Sequence, residues 1–101
     1  MTTTAIDECL SVRNGVLFVE DMGATDLVEQ FGSPLFVFSE DQLRHNVRQF
    51  REHFERGWTA GPVKVMPAAK ANWILAIQRV LVEEECGADI YSAGELDVVL
   101  R

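Results

Sequence analysis

Lys70 is the residue of this sequence best placed for covalent chemistry. It follows an apolar run, VKVMPAA at residues 63–69, and precedes a stretch with helical spacing. Its neighbours Ala68, Ala69 and Ala71 are small and leave space beside the amine for a bulky group. A neutral lysine amine attacks an aldehyde to form a Schiff base. The alternative is a lysine that extends its charge from a strand end into water.

Lys64 is the other lysine of the chain, and it lies in the same apolar run. The spacing of the two lysines places them on the same side of a regular strand. Lys64 lies at the beginning of this strand and Lys70 at its carboxyl end, where parallel sheets gather their ligands. We interpret Lys64 as structural, with its stem packed and its ammonium in water.

A strand, a helix, a strand and a helix follow one another from residue 62. The first strand carries Lys70, and Asn72 is placed to cap the following helix, which Gly87 ends. The second strand is GADIYS, at residues 87–92. Such alternation predicts parallel strands joined by right-handed crossovers.

The second of these helices has a clear start signal. Ser92 and Glu95 have the spacing of a capping box, which accounts for Glu95 without any chemistry. The last turn of the preceding helix contains three acids, Glu83, Glu84 and Glu85, where the helix dipole disfavours negative charge. We interpret these three residues as a solvated helix end without a function.

Shorter elements precede residue 35. A turn at Asn14-Gly15 predicts that SVRNGVLFVED contains one strand entered through that turn. Thr25 can cap a short helix, TDLVEQFG, which Gly32 ends. The aromatic and aliphatic residues LFVF, at 35–38, predict a further short strand.

The longest predicted helix begins after Ser39. Ser39 and Gln42 have capping-box spacing, and Gly57 ends the helix. His45 and His53 lie off its apolar face, so we interpret them as exposed residues rather than ligands. The apolar face consists of residues at helical spacing: Leu43, Val47, Phe50 and Phe54.

Composition indicates an ordinary globular chain. It has 101 residues, of which 48% are hydrophobic, and a net charge of −7. This balance disfavours disorder, and it disfavours nucleic acid or an anionic membrane as the main partner. Cys9 and Cys86 form no CxxC pair, and MTTTAIDECL lacks the features of a secretory signal. We therefore expect a reduced, cytoplasmic setting and no metal site.

Two motifs together resemble a known family. AAKANWILAIQRVL followed by GADIYSAGELDVVL is similar to the pyridoxal-phosphate site of the diaminopimelate, ornithine and arginine decarboxylases, which have the alanine-racemase fold type. The shared patterns are A-x-K-A-N-like and G-x-D-x-x-S-x-G-E-like. The upstream GSPLFVFSEDQLRHNVRQF resembles the early G-[ST]-P-L-x-V segment of the same family.

The resemblance implies a fold and an assembly. Residues 34–101 would be the first part of a (β/α)8 TIM-type barrel in an α/β protein. Residues 1–33 would contribute a strand to a separate β-domain. The family's active sites form between two subunits, so the enzyme would be a homodimer and this portion alone would be inactive. Independently of the resemblance, the chain stops at Arg101 inside a predicted helix with no stop signal, so we expect it to be the front portion of a longer α/β protein.

The resemblance also implies the roles of four residues. Lys70 would form the internal aldimine with pyridoxal phosphate, release it to an amino-acid substrate, assist proton transfer and recapture it. Ala68, Asp89 and Glu95 would line the cofactor site, with the carboxylates near the lysine. The reaction would be decarboxylation of a diaminopimelate-like or ornithine- or arginine-like amino acid.

One departure from the family pattern leaves other functions open. Pro67 stands three residues before Lys70, where the family has Tyr or Phe. A non-catalytic, decarboxylase-like regulator or cofactor-binding protein is therefore an alternative. An amino-acid racemase is another, although Trp73 and the residues after it differ from the A-Y-G-like racemase pattern. An unrelated α/β domain with a chance K-A-N is the last.

Overall fold

The structure is a computed structural model that describes the backbone of residues 3–101 and the side chains of residues 8–101. The chain divides into two compact units, Met1–Gln42 and Leu43–Arg101. The first unit contains a β-sheet and a short helix, and the second contains the segments around Lys70. We describe the two units separately.

The first unit is built on a four-stranded antiparallel sheet with its strands in chain order. These strands are β1 (Thr3–Asp7), β2 (Leu10–Arg13), β3 (Val16–Val19) and β4 (Met22–Gly23). Asn14 and Gly15 take φ values of 52° and 77°, which suit the tight turn of a twisted hairpin. The prediction of one strand entered through this turn is therefore wrong. The turn joins β2 to β3, and β1 and β4 flank that pair.

A short helix, α1 (Ala24–Phe31), follows the sheet and confirms the predicted helix. Gly32 ends it as predicted, with φ at 87° and its N–H donated to Val28 O at 2.8 Å. Thr25 is not its cap. The N-cap is Gly23, two residues earlier, and no side chain caps the helix.

The segment after α1 contradicts the strand predicted at residues 35–38. These residues form neither strand nor helix, and Phe36 is 87% exposed. A strand needs a neighbour that takes up its backbone hydrogen bonds. The described residues supply no such neighbour to this segment, so its high β-propensity has no effect.

The long helix α2 (Glu40–Gly57) confirms the clearest sequence prediction. The Gln42 N–H donates to Ser39 Oγ at 3.0 Å, as a serine cap requires. The Gln42 side chain donates to Glu8 Oε2 at 3.4 Å. His45 and His53 are exposed, as predicted.

The second unit contains two further helices, α3 (Leu75–Glu83) and α4 (Ala93–Val99). Leu100 follows α4 as its C-cap and keeps right-handed helical backbone angles. No helix in residues 3–101 is both long enough and apolar enough to cross a membrane.

Few apolar side chains of the described residues are fully enclosed. The buried ones are Leu27, Val47, Ala69 and Leu81. On α2, the rings of Phe50 and Phe54 lie 4.8 Å apart, yet each side chain is more than half exposed. For a chain that is 48% hydrophobic, this leaves much apolar surface open to water.

Candidate functional site

Two extended segments of the second unit run side by side in parallel. Three backbone hydrogen bonds join them: Gly87 N–H to Val65 O (2.9 Å), Asp89 N–H to Pro67 O (3.1 Å), and Ala69 N–H to Asp89 O (2.9 Å). The parallel arrangement predicted from the strand–helix alternation is thereby confirmed for this pair. The last of the three bonds lies one residue before Lys70.

Pro67 interrupts this pairing. In a regular parallel ladder, residue 67 would donate its N–H to the C=O of Gly87. Proline has no N–H, so that bond is missing. The predicted strands at 63–69 and 87–92 are therefore reduced to extended segments with a single bridge, between Ala68 and Asp89.

Lys70 lies in a single 3-10 turn directly after the paired segment. The turn covers Ala69–Ala71, and the Ala71 N–H closes it by donating to Ala68 O at 3.1 Å. Ala69 is completely buried and anchors the turn. The turn takes Lys70 off the regular pleat on which the predicted same-side relation to Lys64 depended.

The Lys70 amine is exposed and accessible. Among residues 8–101 no hydrogen bond or ion pair engages it. Asp89 is exposed too, and its carboxylate is likewise unpaired in that part of the chain. Backbone pairing brings the two residues to the same end of the extended segments, as the sequence predicted.

Asn72 shapes the connection from Lys70 to α3, although not as the predicted cap. Its Oδ1 accepts from the Ile74 N–H at 3.1 Å, which is the short-range bond of an Asx turn. The Gln78 side chain reaches back from α3 and donates to Asn72 O at 2.7 Å. Helix α3 therefore begins at Leu75, with Ile74 as its N-cap and no side-chain cap.

Glu95 forms the predicted capping box. Its N–H donates to Ser92 Oγ at 3.2 Å, and the Ser92 hydroxyl donates to Glu95 Oε2 at 2.8 Å. The Tyr91 N–H donates to the same oxygen at 3.1 Å. Glu95 is only 3% exposed, and its other oxygen, Oε1, is buried with no donor among the described residues.

Helix α4, which carries Glu95, packs against the turn that carries Lys70. No direct bond between Glu95 and Lys70 is present among the described residues. The structure thus places Lys70, Ala68, Asp89 and Glu95 on adjoining segments, while their roles toward a cofactor stay predictions.

An arginine clamp on Glu84 is the largest feature that the sequence analysis missed. We use this name for Glu84 with Arg44, Arg48 and Arg51 of α2. Arg48 binds both carboxylate oxygens, with Nε to Oε2 at 2.9 Å and Nη2 to Oε1 at 2.7 Å. Arg44 Nη1 donates to Oε1 at 3.0 Å, and Arg51 donates to the Glu84 carbonyl.

The clamp overturns the prediction that Glu83, Glu84 and Glu85 form a solvated helix end. Glu84 is 7% exposed. The hydrogen bonds from Arg48 and Arg44 lower the pKa of its carboxyl from 4.5 to about 2. Glu83 stays partly exposed but also meets Arg44, at 2.6 Å. The signal in the sequence was the spacing of Arg44, Arg48 and Arg51 on one helix face.

Glu85, and not Gly87, makes the turn that ends α3. Glu85 has φ at 60°, and its N–H donates to Val82 O at 2.9 Å. The Cys86 N–H donates to Leu81 O at 3.0 Å. These two bonds form a Schellman motif, whose left-handed position usually holds glycine.

Gly87 has a different role, in the approach of the two extended segments. An added Cβ there would lie 2.9 Å from Met66 Cγ. Glycine therefore allows this close contact. Cys86 is partly buried, and burial raises the pKa of its thiol, which favours the unreactive protonated form.

Chemically, this arrangement is an unpaired amine at the carboxyl end of a parallel pair, with one free and one buried carboxylate on adjoining segments. Among the side chains of residues 8–101, no cluster of three or more potential metal ligands is present. The site matches the class of α/β enzymes that place ligands at the carboxyl ends of parallel strands.

Comparison with known proteins identifies the relatives of the chain. It is 40% identical over 93 residues to diaminopimelate decarboxylase of Methanocaldococcus jannaschii, covering 89% of this chain and 21% of that protein. It is 38% identical over 84 residues to the enzyme of that name from Synechocystis, covering 83% and 18%. No family model matches the chain.

Solved structures agree with the sequence comparison. The crystal structure of the M. jannaschii diaminopimelate decarboxylase in co-complex with L-lysine superposes with a TM-score of 0.84 at 37% identity. The match covers 92% of this chain and 22% of that one. These similarities support the decarboxylase family that the sequence motifs indicated, over the part of the chain that matches. The chain spans about a fifth of the length of the curated relatives.

Proposed function

We propose that this chain is the lysine-bearing first part of a pyridoxal-phosphate-dependent diaminopimelate decarboxylase. The observation that carries the proposal is Lys70, unpaired and exposed at the carboxyl end of a parallel pair, within a match of 40% identity to a diaminopimelate decarboxylase. The same proposal includes the start of a (β/α)8 barrel over residues 34–101, a β-domain role for residues 1–33, and a cytoplasmic homodimer.

The residues present fit an aldehyde cofactor. Glu95 Oε1 is a buried oxygen with no donor among the described residues, which suits a cationic or N–H-bearing group from outside them. The small side chains of Ala68 and Ala71, which are not fully buried, leave space beside Lys70. When bound, pyridoxal phosphate supplies an aldehyde and an electron-accepting ring.

The residues of this chain would position and move protons. Lys70 would bind the aldehyde through Nζ and, once released, hold a proton for delivery to the product. Asp89 would attract the Lys70 ammonium and keep it at the end of the parallel pair. Glu95 would hold the start of α4 through Oε2, which accepts from Tyr91 and Ser92. Its other oxygen, Oε1, would accept a hydrogen bond from a donor beside Lys70.

We infer the substrate from the relatives and not from the residues of this chain. The two relatives above are named for diaminopimelate, and the solved M. jannaschii enzyme was crystallised with L-lysine, the amino acid left when diaminopimelate loses a carboxyl group. We infer that the full-length protein releases CO2 from diaminopimelate. Ornithine and arginine serve as comparison substrates in the test.

Replacement of Lys70 tests the proposal. In the full-length protein, Lys70→Ala should abolish CO2 release from diaminopimelate, by at least roughly a thousandfold, because the covalent attachment point is lost. Borohydride treatment of the wild type with pyridoxal phosphate should label the peptide that contains Lys70. Lys64→Ala is the matched control and should retain both activity and label.

Two outcomes would contradict the proposal. A label on another residue would remove Lys70 from the cofactor site. Specific labelling of Lys70 without CO2 release from any of the three amino acids would favour the non-catalytic regulator, and loss of optical activity of an amino acid would favour the racemase.

A further inference from the structure

We infer that Glu84 is a positioning residue for Lys70, acting through the arginine clamp. The inference rests on the proposed function, because it concerns how the chain presents the Lys70 amine to an aldehyde. Glu84 does not touch Lys70. It fixes the segment whose pairing sets where the turn at Lys70 lies.

The clamp joins α2 to the end of α3 at a single buried carboxylate. Both Glu84 oxygens are occupied, and the fork of Arg48 fixes the plane of the carboxylate as well as its distance. Arg51 adds a bond to the Glu84 backbone carbonyl. Side chain and main chain of one residue are thus held by the same helix.

The clamp lies immediately before the parallel pairing. Cys86 closes the Schellman motif, and the next residue, Gly87, donates the first pairing bond, to Val65. From Gly87 to Asp89 the extended chain covers about 7 Å. Asp89 then accepts from Ala69, the neighbour of Lys70. The backbone between Glu84 and Asp89 is therefore held by separate hydrogen bonds along its length, and the last of them reaches Ala69, the neighbour of Lys70.

The backbone pairing between the two extended segments is short, and we expect it to need the support of the clamp. Pro67 removes one pairing bond, so three backbone bonds hold the two segments together. A pairing this short gives little resistance to a shift of one segment along the other. The clamp restricts that shift because it holds the second segment at Glu84, just before the first pairing bond at Gly87.

A charged group is needed because the clamp brings three guanidinium groups together. Arg44, Arg48 and Arg51 lie on one face of α2. Neutralising Glu84 would leave Arg48 without its carboxylate, while Arg44 would keep its ion pair with Glu83. Glu84→Gln keeps the shape of the side chain and removes the charge. We therefore expect it to loosen the turn between α3 and Gly87.

The test measures Lys70 directly in the full-length protein. The rate at which added pyridoxal phosphate becomes borohydride-trappable at Lys70 is determined by peptide mass spectrometry, per folded molecule, well below the melting temperature. Glu84→Gln should lower this rate roughly tenfold, because small misplacements of a reacting group have large effects on rate. Glu55→Gln removes an exposed carboxylate of α2 with which no described residue pairs, and it should stay within about twofold.

Amide hydrogen exchange supplies a readout that does not depend on the cofactor. Glu84→Gln should accelerate exchange at the amides of Ala69 and Asp89, while Glu55→Gln should leave them protected. If the wild type fails to trap the cofactor at Lys70, the proposed function fails, and this exchange measurement still decides the inference.

Equal trapping rates and equal exchange for the two variants would overturn the inference and leave Glu84 a purely structural residue. If Glu84→Gln does not fold, Arg48→Lys replaces it, since lysine keeps the charge but loses the fork. Arg48→Lys should then slow trapping about threefold or more. An unchanged rate with that variant also contradicts the inference.

Discussion

Glu84 and Glu95 are both almost fully buried glutamates, but they are held in opposite ways. Glu95 bonds to Tyr91 and Ser92, within four residues of itself. Glu84 bonds to Arg48 and Arg44, which lie 36 and 40 residues earlier in the chain. One is a local cap and the other a tertiary clamp.

The difference shows what burial of an acid means in each case. The Glu95 cap satisfies backbone and hydroxyl donors and leaves one oxygen unpaired, which is an opening for a ligand. The Glu84 clamp leaves neither oxygen unpaired, and its charge neutralises cations of another helix. We therefore propose Glu95 as part of the site and Glu84 as its support.

The largest effect that we expect is a loss of stability in acid, where the Glu84 carboxylate of the clamp becomes protonated. The Glu84 carboxyl has its pKa lowered to about 2, so its stabilising contribution is complete above its ordinary value of 4.5. That contribution is lost as the pH falls toward 2. The melting temperature of the wild-type full-length protein should therefore fall more steeply below about pH 4.5 than that of Glu84→Gln.

Glu55 provides the control for this pH experiment. It is exposed, and no described residue pairs with it. Glu55→Gln should keep the steep acid response of the wild type. If Glu84→Gln responds to acid as steeply as Glu55→Gln does, the clamp is not an ionic interaction in solution.

Removal of the local cap should have a smaller and more confined effect. Glu95→Ala leaves the Tyr91 N–H and the Ser92 hydroxyl without their acceptor and should destabilise α4 by about 2 kcal/mol. Ser92→Ala removes one capping bond and should cost about 1 kcal/mol. Native-state hydrogen exchange of the α4 amides measures both values.

The distinction between cap and clamp predicts where these changes appear. Glu95→Ala should leave the exchange of α2 amides unchanged, because its bonds are local. A comparable loss of protection in α2 would mean that the cap also carries tertiary coupling, and the contrast with Glu84 would then disappear.

The smallest effect should come from Glu85, the residue that turns the chain out of the clamp. Its φ of 60° is unfavourable for a side chain with a Cβ. Glu85→Gly relieves this strain but increases the freedom of the unfolded chain, so the net gain should be about 0.5–1 kcal/mol. Urea unfolding followed at α3 amides measures the gain.

Gln49→Gly is the matched substitution inside α2, where glycine should instead destabilise by about 1 kcal/mol. Effects of the same sign in the two variants would show that Glu85 does not occupy the left-handed region in solution.

Local signals decided much of what the sequence predicted correctly. The cap at Ser39, the glycine at Gly32 and the Ser92–Glu95 box each depend on residues within four positions of one another. The parallel arrangement followed from the order of elements. The A-x-K-A-N-like and G-x-D-x-x-S-x-G-E-like motifs carried the family, which the comparisons confirmed.

Tertiary structure alone decided the features that support Lys70. The clamp joins residues 36 to 40 positions apart, and no spacing rule encodes that choice of partner. Pro67 was visible, but its effect depended on the partner segment, because a missing N–H matters only opposite the carbonyl that needs it. The sequence by itself therefore identified Lys70 as the candidate amine. Long-range pairing decided how firmly the chain holds Lys70 in place.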